Sequence, residues 1–338
     1  MSAEWVGSLG SLGATVNATV GATVATTMLV VALHGVVLVG GAPFLTGTIR
    51  RTKARLQSRR GAPLLQPYHD LAKQWAKGTV ESDAGGPVGR FAPAAALAAI
   101  LVAALLVPAV AARPALSGWG DVLAVVGLLA LARFAMALGA LDTGSAFGGM
   151  ASSRDVSIAA LVEPAALLAL AGVAIGAGST DLGVLSASGS AAGLGLLTPA
   201  TLLAAAAFAI VVIAETGHYP VDNPDTHLEL TMVHEGLLIE ASGRRLALLS
   251  LAAHLKQAIL LAIFVAAFVP WGAAAELTPW PIALGLILFA LKVLALGQGL
   301  ALIDGSIAKL RTLRLPDLLG SAALLALTGL AARIWLGR

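Results

Sequence analysis

The chain contains no cysteine, and charged residues make up only 12% of its 338 residues. Without cysteine it can hold neither a disulfide nor an iron–sulfur cluster ligated by its own thiolates. Soluble domains carry about twice this charged fraction, whereas 58% of the residues here are hydrophobic and the mean hydropathy is +0.90. These values indicate a membrane protein with several spans, and the net charge of +3 needs no nucleic-acid partner to explain it.

Several apolar stretches approach or exceed the length that crosses a bilayer as a helix, which takes about 20 residues. We therefore predict an all-α polytopic membrane protein with about eight transmembrane helices. A short outward segment, 1–20, precedes a single membrane domain, 21–338. The segment lacks the basic start and the cleavage site of a signal peptide, so the first span is expected to stay in the protein. The predicted spans are 21–45, 91–112, 121–140, 156–178, 198–216, 246–270, 281–302 and 317–336.

The basic residues divide unevenly between the alternating loops. Fifteen of the 21 lie in the loops 46–90, 141–155, 217–245 and 303–316. Loops rich in Lys and Arg remain in the cytoplasm, so we expect a multi-pass protein of the plasma (inner) membrane with both termini outward and the charged loops cytoplasmic. The six basic residues elsewhere are Arg113, Arg333 and Arg338 in the other loops and tails, and Arg133, Lys256 and Lys292 within spans.

The first charged loop contains a helical pattern, "LLQPYHDLAKQWAKG". Apolar residues recur at helical spacing, while Lys73 and Lys77 fall on another face. This pattern is typical of an amphipathic helix at the membrane surface. Its apolar face consists of Leu64, Leu65, Tyr68, Leu71, Ala72 and Trp75.

Ionisable residues within spans are costly, about 2.5–3.5 kcal/mol each on insertion scales, and usually face the bundle interior. Structural ion pairs are one interpretation, for example Arg133 or Lys256 with Glu163 or Glu215. A proton or ion path is the other, and two carboxylates at depth beside a cytoplasmic acid cluster favour it. The full set within spans or at their edges is His34, Arg133, Glu163, Glu215, His254, Lys256 and Lys292. We expect the lone His34 to be a hydrogen-bonded packing residue.

The stretch "AETGHYPVDNPDTHLELTMVHEGLLIEASG", Ala214–Gly243, gathers a third of the acidic residues. Its "HEGLL" lacks the second histidine of a zinc HExxH motif, and a metal site built from Asp225, His227 and Glu229 would require an extended segment. The acids alternate with apolar residues, which favours a segment folded against the bundle or a partner, where desolvated carboxylates exchange protons near neutral pH. We predict a proton relay formed by Glu215, Asp222, Asp225, Glu229, Glu235 and Glu240.

Four blocks carry a family resemblance. They are "RRGAPLLQPYHDLAKQWAKG", "ALDTGSAFGGMASSRD", "LVEPAALL" and "ETGHYPVDNPDTHLELTMVHE" followed by "EASG". Together they resemble the membrane subunit of energy-converting (group 4) NiFe hydrogenases and of formate hydrogenlyase, which is homologous to a membrane-arm subunit of NADH dehydrogenase (complex I). The sequence of the last block is more similar to the hydrogenase branch of this family than to the complex I branch.

The resemblance implies roles for individual residues. Glu163 matches a buried carboxylate of the family's lateral proton channel, and Asp142 and Arg154 match charged positions of the loop that faces the peripheral arm. Two positions depart from the family, since Ala241 stands in place of a tyrosine and Asp155 in place of a glutamate. The loop acids that match are Glu215, Asp222, Asp225, Glu229 and Glu240. Arg133 and Lys256 remain candidate counter-charges.

The resemblance also implies a non-catalytic subunit. It would dock hydrogenase-like large and small subunits and an iron–sulfur protein on the cytoplasmic face, beside antiporter-like membrane subunits and lipid, and couple their redox reaction to proton or sodium movement. The NiFe centre and iron–sulfur clusters would lie in those partners, and this chain would hold no cofactor. Three alternatives stay open: a quinone-reducing complex with a quinone beside the amphipathic helix, a structural anchor, and a stand-alone transporter, although the paired repeats of transporters are not evident.

Overall fold

The computed structural model describes residues 32–80, 85–109, 118–222, 233–274, 278–308, 310 and 314–336. Within these ranges the regular structure is helical, apart from one isolated antiparallel bridge between Asp121 and Asp181. The α-helices, numbered in chain order, are α1 Ala32–Leu56, α2 Gln66–Ala76, α3 Pro87–Leu106, α4 Val122–Asp142, α5 Ala146–Ala177, α6 Leu182–Ala192, α7 Pro199–Glu215, α8 Gly243–Phe268, α9 Pro279–Ser306 and α10 Leu315–Leu336.

Seven of these helices are long and apolar enough to cross a membrane, namely α1, α3, α4, α5, α8, α9 and α10. An eighth crossing comes from the pair Leu182–Leu196 and Pro199–Glu215, which is bent by 119°. The predicted all-α fold with about eight spans is therefore confirmed for the described part of the chain. The first helix runs on to Leu56, beyond the expected end at residue 45, and residues 1–31 lie outside the described ranges.

The short helix α6 lies across one end of the bundle. At its start, Leu182 N–H donates to Gly120 O at 2.9 Å, just before α4. At its end, the Ser190 hydroxyl donates to Pro270 O at 2.8 Å, just after α8. Since both ends of α6 are tied to the same end of the bundle, α7 is the part of this bent pair that runs along the bundle. Its 17 residues span about 25 Å, slightly less than a typical hydrocarbon core.

Helix α5 is too long for a simple crossing. Its 32 residues extend about 48 Å, against a hydrocarbon core of about 30 Å. The additional residues come at its start, because the helix begins at Ala146 rather than at the expected 156. There it packs against a 3₁₀-helix, Glu235–Leu238, with Ala151 in contact with Leu237. This extension brings the "SSRD" block beside the acidic stretch.

Exposed tryptophans mark one end of the bundle. Trp119 precedes α4 and Trp280 lies in the first turn of α9, and each is 77% exposed. Trp335 is 90% exposed at the end of α10. Because α4 and α9 begin at the end of the bundle where α10 finishes, the three indoles lie at one level, as in an aromatic belt at a membrane interface. The acidic and basic loops lie at the opposite end.

The predicted amphipathic helix is present as α2, which packs against α8. Pro67 is buried against the bundle, whereas Trp75 is 54% exposed and Lys73 and Lys77 are exposed. The segment after α2 is fixed by Ser242, whose hydroxyl donates to Val80 O at 2.9 Å and accepts from Val80 N–H at 2.8 Å. The residues that follow the first family block thus contact the "EASG" end of the last block.

Candidate functional site

The guanidinium of Arg133 is the centre of a buried ionic network. Arg133 lies in the middle of α4 and is only 8% exposed. Its Nη1 donates to Glu163 Oε1 at 2.9 Å, its Nη2 donates to Glu215 Oε2, and its Nε lies 3.5 Å from Asp155 Oδ2. One cation therefore faces three carboxylates from α5 and α7. A buried arginine has five N–H donors in a fixed plane, which suits it to bridge several acids.

Glu215, the last residue of α7, accepts from two cations. Lys256 of α8 lies with its Nζ 2.7 Å from Glu215 Oε2, the oxygen that also accepts from Arg133. The Glu215 side chain is 9% exposed. Glu215 thus joins a cation from α4 to a cation from α8. The sequence named Arg133 and Lys256 as candidate counter-charges of Glu163 and Glu215, and the structure places these four residues in one network.

The network continues from Asp155 to the acidic stretch. Asp155 Oδ1 lies 3.5 Å from His234 Nε2, and His234 Nδ1 lies 3.8 Å from Asp222 Oδ2. Asp222, 2% exposed, also accepts from the backbone N–H groups of Val233 at 3.1 Å and His234 at 3.3 Å. The carboxylate of Asp222 therefore holds together the two ends of the stretch 222–233. Of the residues between them, Asp225, His227 and Glu229 lie outside the described ranges.

At its other end the network reaches a small cavity between α4, α5, α7 and α8. Glu163 is the most accessible member, with 33% of its side chain exposed. The remaining lining is mostly apolar side chains of α4, α5, α7 and α8, such as Phe208 and Leu260. The arrangement alternates acids and bases from the loop end of the bundle to a cavity at mid-helix depth. Such a chain can hold and exchange protons.

Other residues expected at the site lie elsewhere. Asp142 accepts from Gly89 N–H at 2.7 Å and so caps the start of α3. Glu240 is exposed and lines a groove that also contains Asp142 and Arg245. Glu235 begins the 3₁₀-helix beside His234, and Arg154 is half-buried next to Asp155. Their parts in a relay or an interface stay predictions.

Two charged residues within spans have structural contacts. His34 Nε2 donates to Ala104 O at 2.8 Å, in agreement with the expectation of a hydrogen-bonded packing residue. The ammonium of Lys292 donates to Val269 O at 2.7 Å and to Trp271 O, which satisfies carbonyl groups at the end of α8. No group of three or more His, Cys, Asp or Glu side chains in the described ranges is arranged to hold a metal ion.

The sequence did not place Asp155 or His234 in the relay. Asp155 stands eight residues before Glu163, two helical turns away on α5, and this spacing was the available signal. His234 stood out in the sequence only as a metal ligand to be excluded. Its place between two carboxylates depends on the path of the chain after α7, which no local pattern reveals.

Comparisons with known proteins identify the family of this chain. A family model described as NADH dehydrogenase matches residues 27–334. The chain belongs to this NADH dehydrogenase family. Among its relatives, hydrogenase-4 component C of Escherichia coli K12 is 34% identical over 83% of this chain and 87% of its own length. Formate hydrogenlyase subunit 4 of the same organism is 35% identical, covering 82% of this chain and 90% of its own length.

More distant members share the same framework. An NADH-quinone oxidoreductase subunit of Cereibacter sphaeroides is 29% identical over 79% of this chain and 86% of its own length. A chain of the membrane-bound sulfane sulfur reductase, an archaeal respiratory membrane complex, superposes with a TM-score of 0.80 at 20% identity, covering 90% of this chain and 98% of that one. The latter likeness shows a shared fold. This member of the NADH dehydrogenase family is thus a multi-pass membrane subunit of the kind found in complex-I-like hydrogenase and formate hydrogenlyase complexes.

Proposed function

We propose that this chain couples the redox reaction of a hydrogenase-type peripheral arm to the movement of protons, or of sodium ions, across the membrane. It would do so without bond chemistry of its own, as the membrane subunit on which the cytoplasmic arm docks and beside which antiporter-like subunits lie. The NiFe centre and iron–sulfur clusters would belong to partner subunits. The relatives at 34–35% identity, a hydrogenase component and a formate hydrogenlyase subunit, support this assignment over a quinone-linked one.

The contact of Arg133 with three carboxylates supports the proposal most directly. Burying several ionisable groups together is expensive, and membrane proteins tolerate it mainly where charge moves. A change of charge at the docked arm would alter the proton occupancy of the loop acids around Asp222. The change would pass through His234 and Asp155 to Arg133, and so alter which of Glu215 and Glu163 holds a proton.

Replacing Glu163 tests this relay most cleanly. Glu163→Gln removes one proton-exchanging group, while Asp155 and Glu215 still balance the charge of Arg133. We expect the complex to assemble and its arm to turn over, with proton uptake reduced to background. The measurement is hydrogen turnover and the pH gradient in proteoliposomes that hold the purified complex. Asp317→Asn, on the exposed first turn of α10, is the matched control and should leave both rates unchanged.

A normal ratio of protons to hydrogen in Glu163→Gln would contradict the relay and favour the structural-anchor alternative. Glu215→Gln is a less informative test, because Arg133 and Lys256 both pair with this carboxylate. Breaking a buried ion pair destabilises a protein by about 3–5 kcal/mol. We therefore expect lower assembly of that variant as well as loss of transport.

One observation favours a second candidate, binding of a quinone. A small cavity between α1, α2 and α8 is lined by Arg50, Asp70, Gln74 and His254 among others. Within the described residues, His254 Nδ1 and Gln74 Oε1 are buried without a hydrogen-bond partner. A quinone carbonyl could accept a hydrogen bond from the histidine. Quinone reduction by the purified complex that is lost in His254→Leu would support this candidate.

A further inference from the structure

A second buried polar group lies on another side of α8 from the Arg133 network. Neighbouring residues of α8 face the two groups. Lys256 pairs with Glu215, whereas the side-chain amide of Gln257 lies 2.7 Å from Nε2 of His218. The group joins α1, α8 and α9 to the start of the acidic loop, and the relay described above does not use it.

The ring of His218 is held on its other side by Asp304 of α9. His218 Nδ1 lies 2.7 Å from Asp304 Oδ2, and Tyr219 N–H donates to Asp304 Oδ1 at 2.9 Å. An ionised carboxylate only accepts hydrogen bonds, so Nδ1 of His218 carries a proton. The side chain of Asp304 is 4% exposed and that of His218 is 12% exposed.

Two of the described residues, one acid and one base, place charged groups near the His218 ring. Besides Asp304, the facing charged group is Lys53 of α1, whose Nζ lies 3.9 Å from Asp304 Oδ2 and 5.1 Å from the centre of the Tyr219 ring. From α8 the facing group is the neutral Gln257. A proton on His218 would therefore compete with Lys53 as the counter-charge of Asp304.

Gln257 allows the ring to be neutral or charged. In the observed arrangement its amide Nε2 donates to an unprotonated Nε2 of His218, while its Oε1 accepts from the Thr46 hydroxyl at 3.2 Å. If His218 takes a second proton, its Nε2 becomes a donor. Rotation of the amide then turns Oε1 toward the ring and the NH₂ group toward Thr46. The Thr46 hydroxyl donates instead to Ala42 O, 3.2 Å away.

In both patterns the ring Nε2, one amide N–H, the amide oxygen or nitrogen facing Thr46 and the Thr46 hydroxyl have partners, and the two patterns differ by one proton. A buried polar atom that loses its partner destabilises the folded state, so a change of protonation in a buried cluster needs a second hydrogen-bond pattern. Here the Gln257 amide changes from donor to acceptor toward the ring, and the Thr46 hydroxyl changes from donor to acceptor toward the amide. Rotation of one side-chain amide therefore gives the ring Nε2 a hydrogen-bond partner whether or not it carries a proton.

The position of His218 links this cluster to the relay. Glu215 lies three residues before it and Asp222 four residues after it, and both belong to the Arg133 network. Along this segment, Glu215 and Asp222 contact the Arg133 network, whereas His218 between them contacts Gln257 and Asp304. A proton bound by His218 would therefore place a positive charge on the segment that carries both Glu215 and Asp222.

We propose that His218 is a proton-binding site at the start of the acidic loop, with Asp304 as its counter-charge and rotation of the Gln257 amide as the step that accommodates the proton. The inference rests on the proposed function, since it assigns this proton to the same relay. It adds an exchange site on the α1–α9 side of α8, distinct from Glu163 and Glu215.

Infrared difference spectroscopy of the purified complex, with histidine labelled by ¹⁵N in its rings, tests the site directly. Between about pH 5 and pH 8, where histidine commonly titrates, we expect one ring to change between the Nδ1–H neutral form and the doubly protonated form. His218→Gln should remove this signal. His34→Gln, which replaces a histidine that donates to a carbonyl, should leave it intact.

Two further variants probe the surroundings of the ring. Asp304→Asn should move the titration to lower pH, because the charged ring loses its counter-charge. Gln257→Leu should broaden or displace it, because the ring Nε2 loses its side-chain partner in both patterns. These shifts, together with the wild-type spectrum, decide the question even if His218→Gln assembles poorly.

The proposal is overturned if the His218 ring keeps one protonation state across this pH range. It is also overturned if His218→Gln leaves the pH dependence of proton transport in proteoliposomes unchanged. Failure of the proposed function has a different signature. In that case His218 titrates as described, but Glu163→Gln still transports protons at the wild-type ratio.

Discussion

At the scale of single residues, Arg133 carries the largest structural role in the network. Its side chain meets acids from two other helices, so it acts as a packing element as well as a charge. The sequence showed that a cation and two carboxylates lie at depth, but a contact between helices far apart in sequence could not be read from it. The third partner, Asp155, stood out in the sequence only as a departure from the family pattern.

Arg133→Leu should destabilise the protein more than Lys256→Met. The first change leaves three buried or half-buried carboxylates without their shared partner, whereas the second leaves Glu215 still paired with Arg133. Loss of one partner of a buried pair costs about 3–5 kcal/mol. We expect Arg133→Leu to lower the thermal denaturation temperature clearly more than Lys256→Met does, measured on the purified complex. Equal stability of the two variants would show that the three contacts of Arg133 contribute little.

Substitution by lysine separates charge from geometry at the same position. Arg133→Lys keeps the positive charge but cannot direct fixed donors at three carboxylates simultaneously. An intermediate thermal stability is the expected result. Full recovery of wild-type stability would mean that charge alone matters.

At the scale of elements, turns decide how the helices meet. Helix α8 begins at Gly243, whose φ of +53° lies in the left-handed region. A Cβ atom there would lie 2.5 Å from the carbonyl oxygen of Gly78, in the segment after α2. The glycine of the "EASG" block thus allows the amphipathic helix and its following segment to dock against α8. The sequence predicted both helices but not this contact, because it depends on two turns that are far apart along the chain.

Gly243→Ala should weaken the docking of the segment that follows α2. The substitution introduces both a strained backbone, worth about 1–3 kcal/mol, and a clash with Gly78. We expect faster proteolysis within residues 77–80 and a lower denaturation temperature. Gly127→Ala is the matched control, since its Cβ would meet no atom within 4 Å in α4. Similar behaviour of the two variants would contradict the close contact.

At the scale of the whole molecule, the orientation in the membrane is a prediction from charge. The described parts of the loops rich in Lys and Arg lie toward one end of the bundle, from which the Arg133 network runs to mid-helix depth, and the exposed Trp119, Trp280 and Trp335 lie at the other end. The positive-inside rule assigns the first end to the cytoplasm. A peripheral arm docked there would meet the network directly.

The natural absence of cysteine makes this orientation simple to test. Gln57→Cys, after α1, and Thr278→Cys, before α9, both fall at exposed positions. A membrane-impermeant maleimide should label the first only from the cytoplasmic side and the second only from the outside. Labelling of Gln57→Cys from outside would invert the predicted topology.

The sequence by itself determined the class of this protein. A low charged fraction and repeated apolar stretches of bilayer length leave few alternatives to a helical bundle, because unpaired backbone groups are not tolerated in lipid. Each expected span overlaps an observed helix, although α1 runs on to Leu56 instead of ending at residue 45 and α5 begins at Ala146 instead of 156. Four short blocks were enough to indicate the family.

Only the tertiary structure decided which charges meet. Helix periodicity gives the face of one helix but not its rotation relative to another, so the contacts Arg133–Asp155 and His218–Asp304 could not be derived from spacing. The pairing depends on close packing of small residues between helices. It also depends on how the loop after α7 turns back against α5 and α9. Each of these contacts affects stability, because a buried charge without a partner is strongly destabilising. The fold determines which partner lies within reach of each charge.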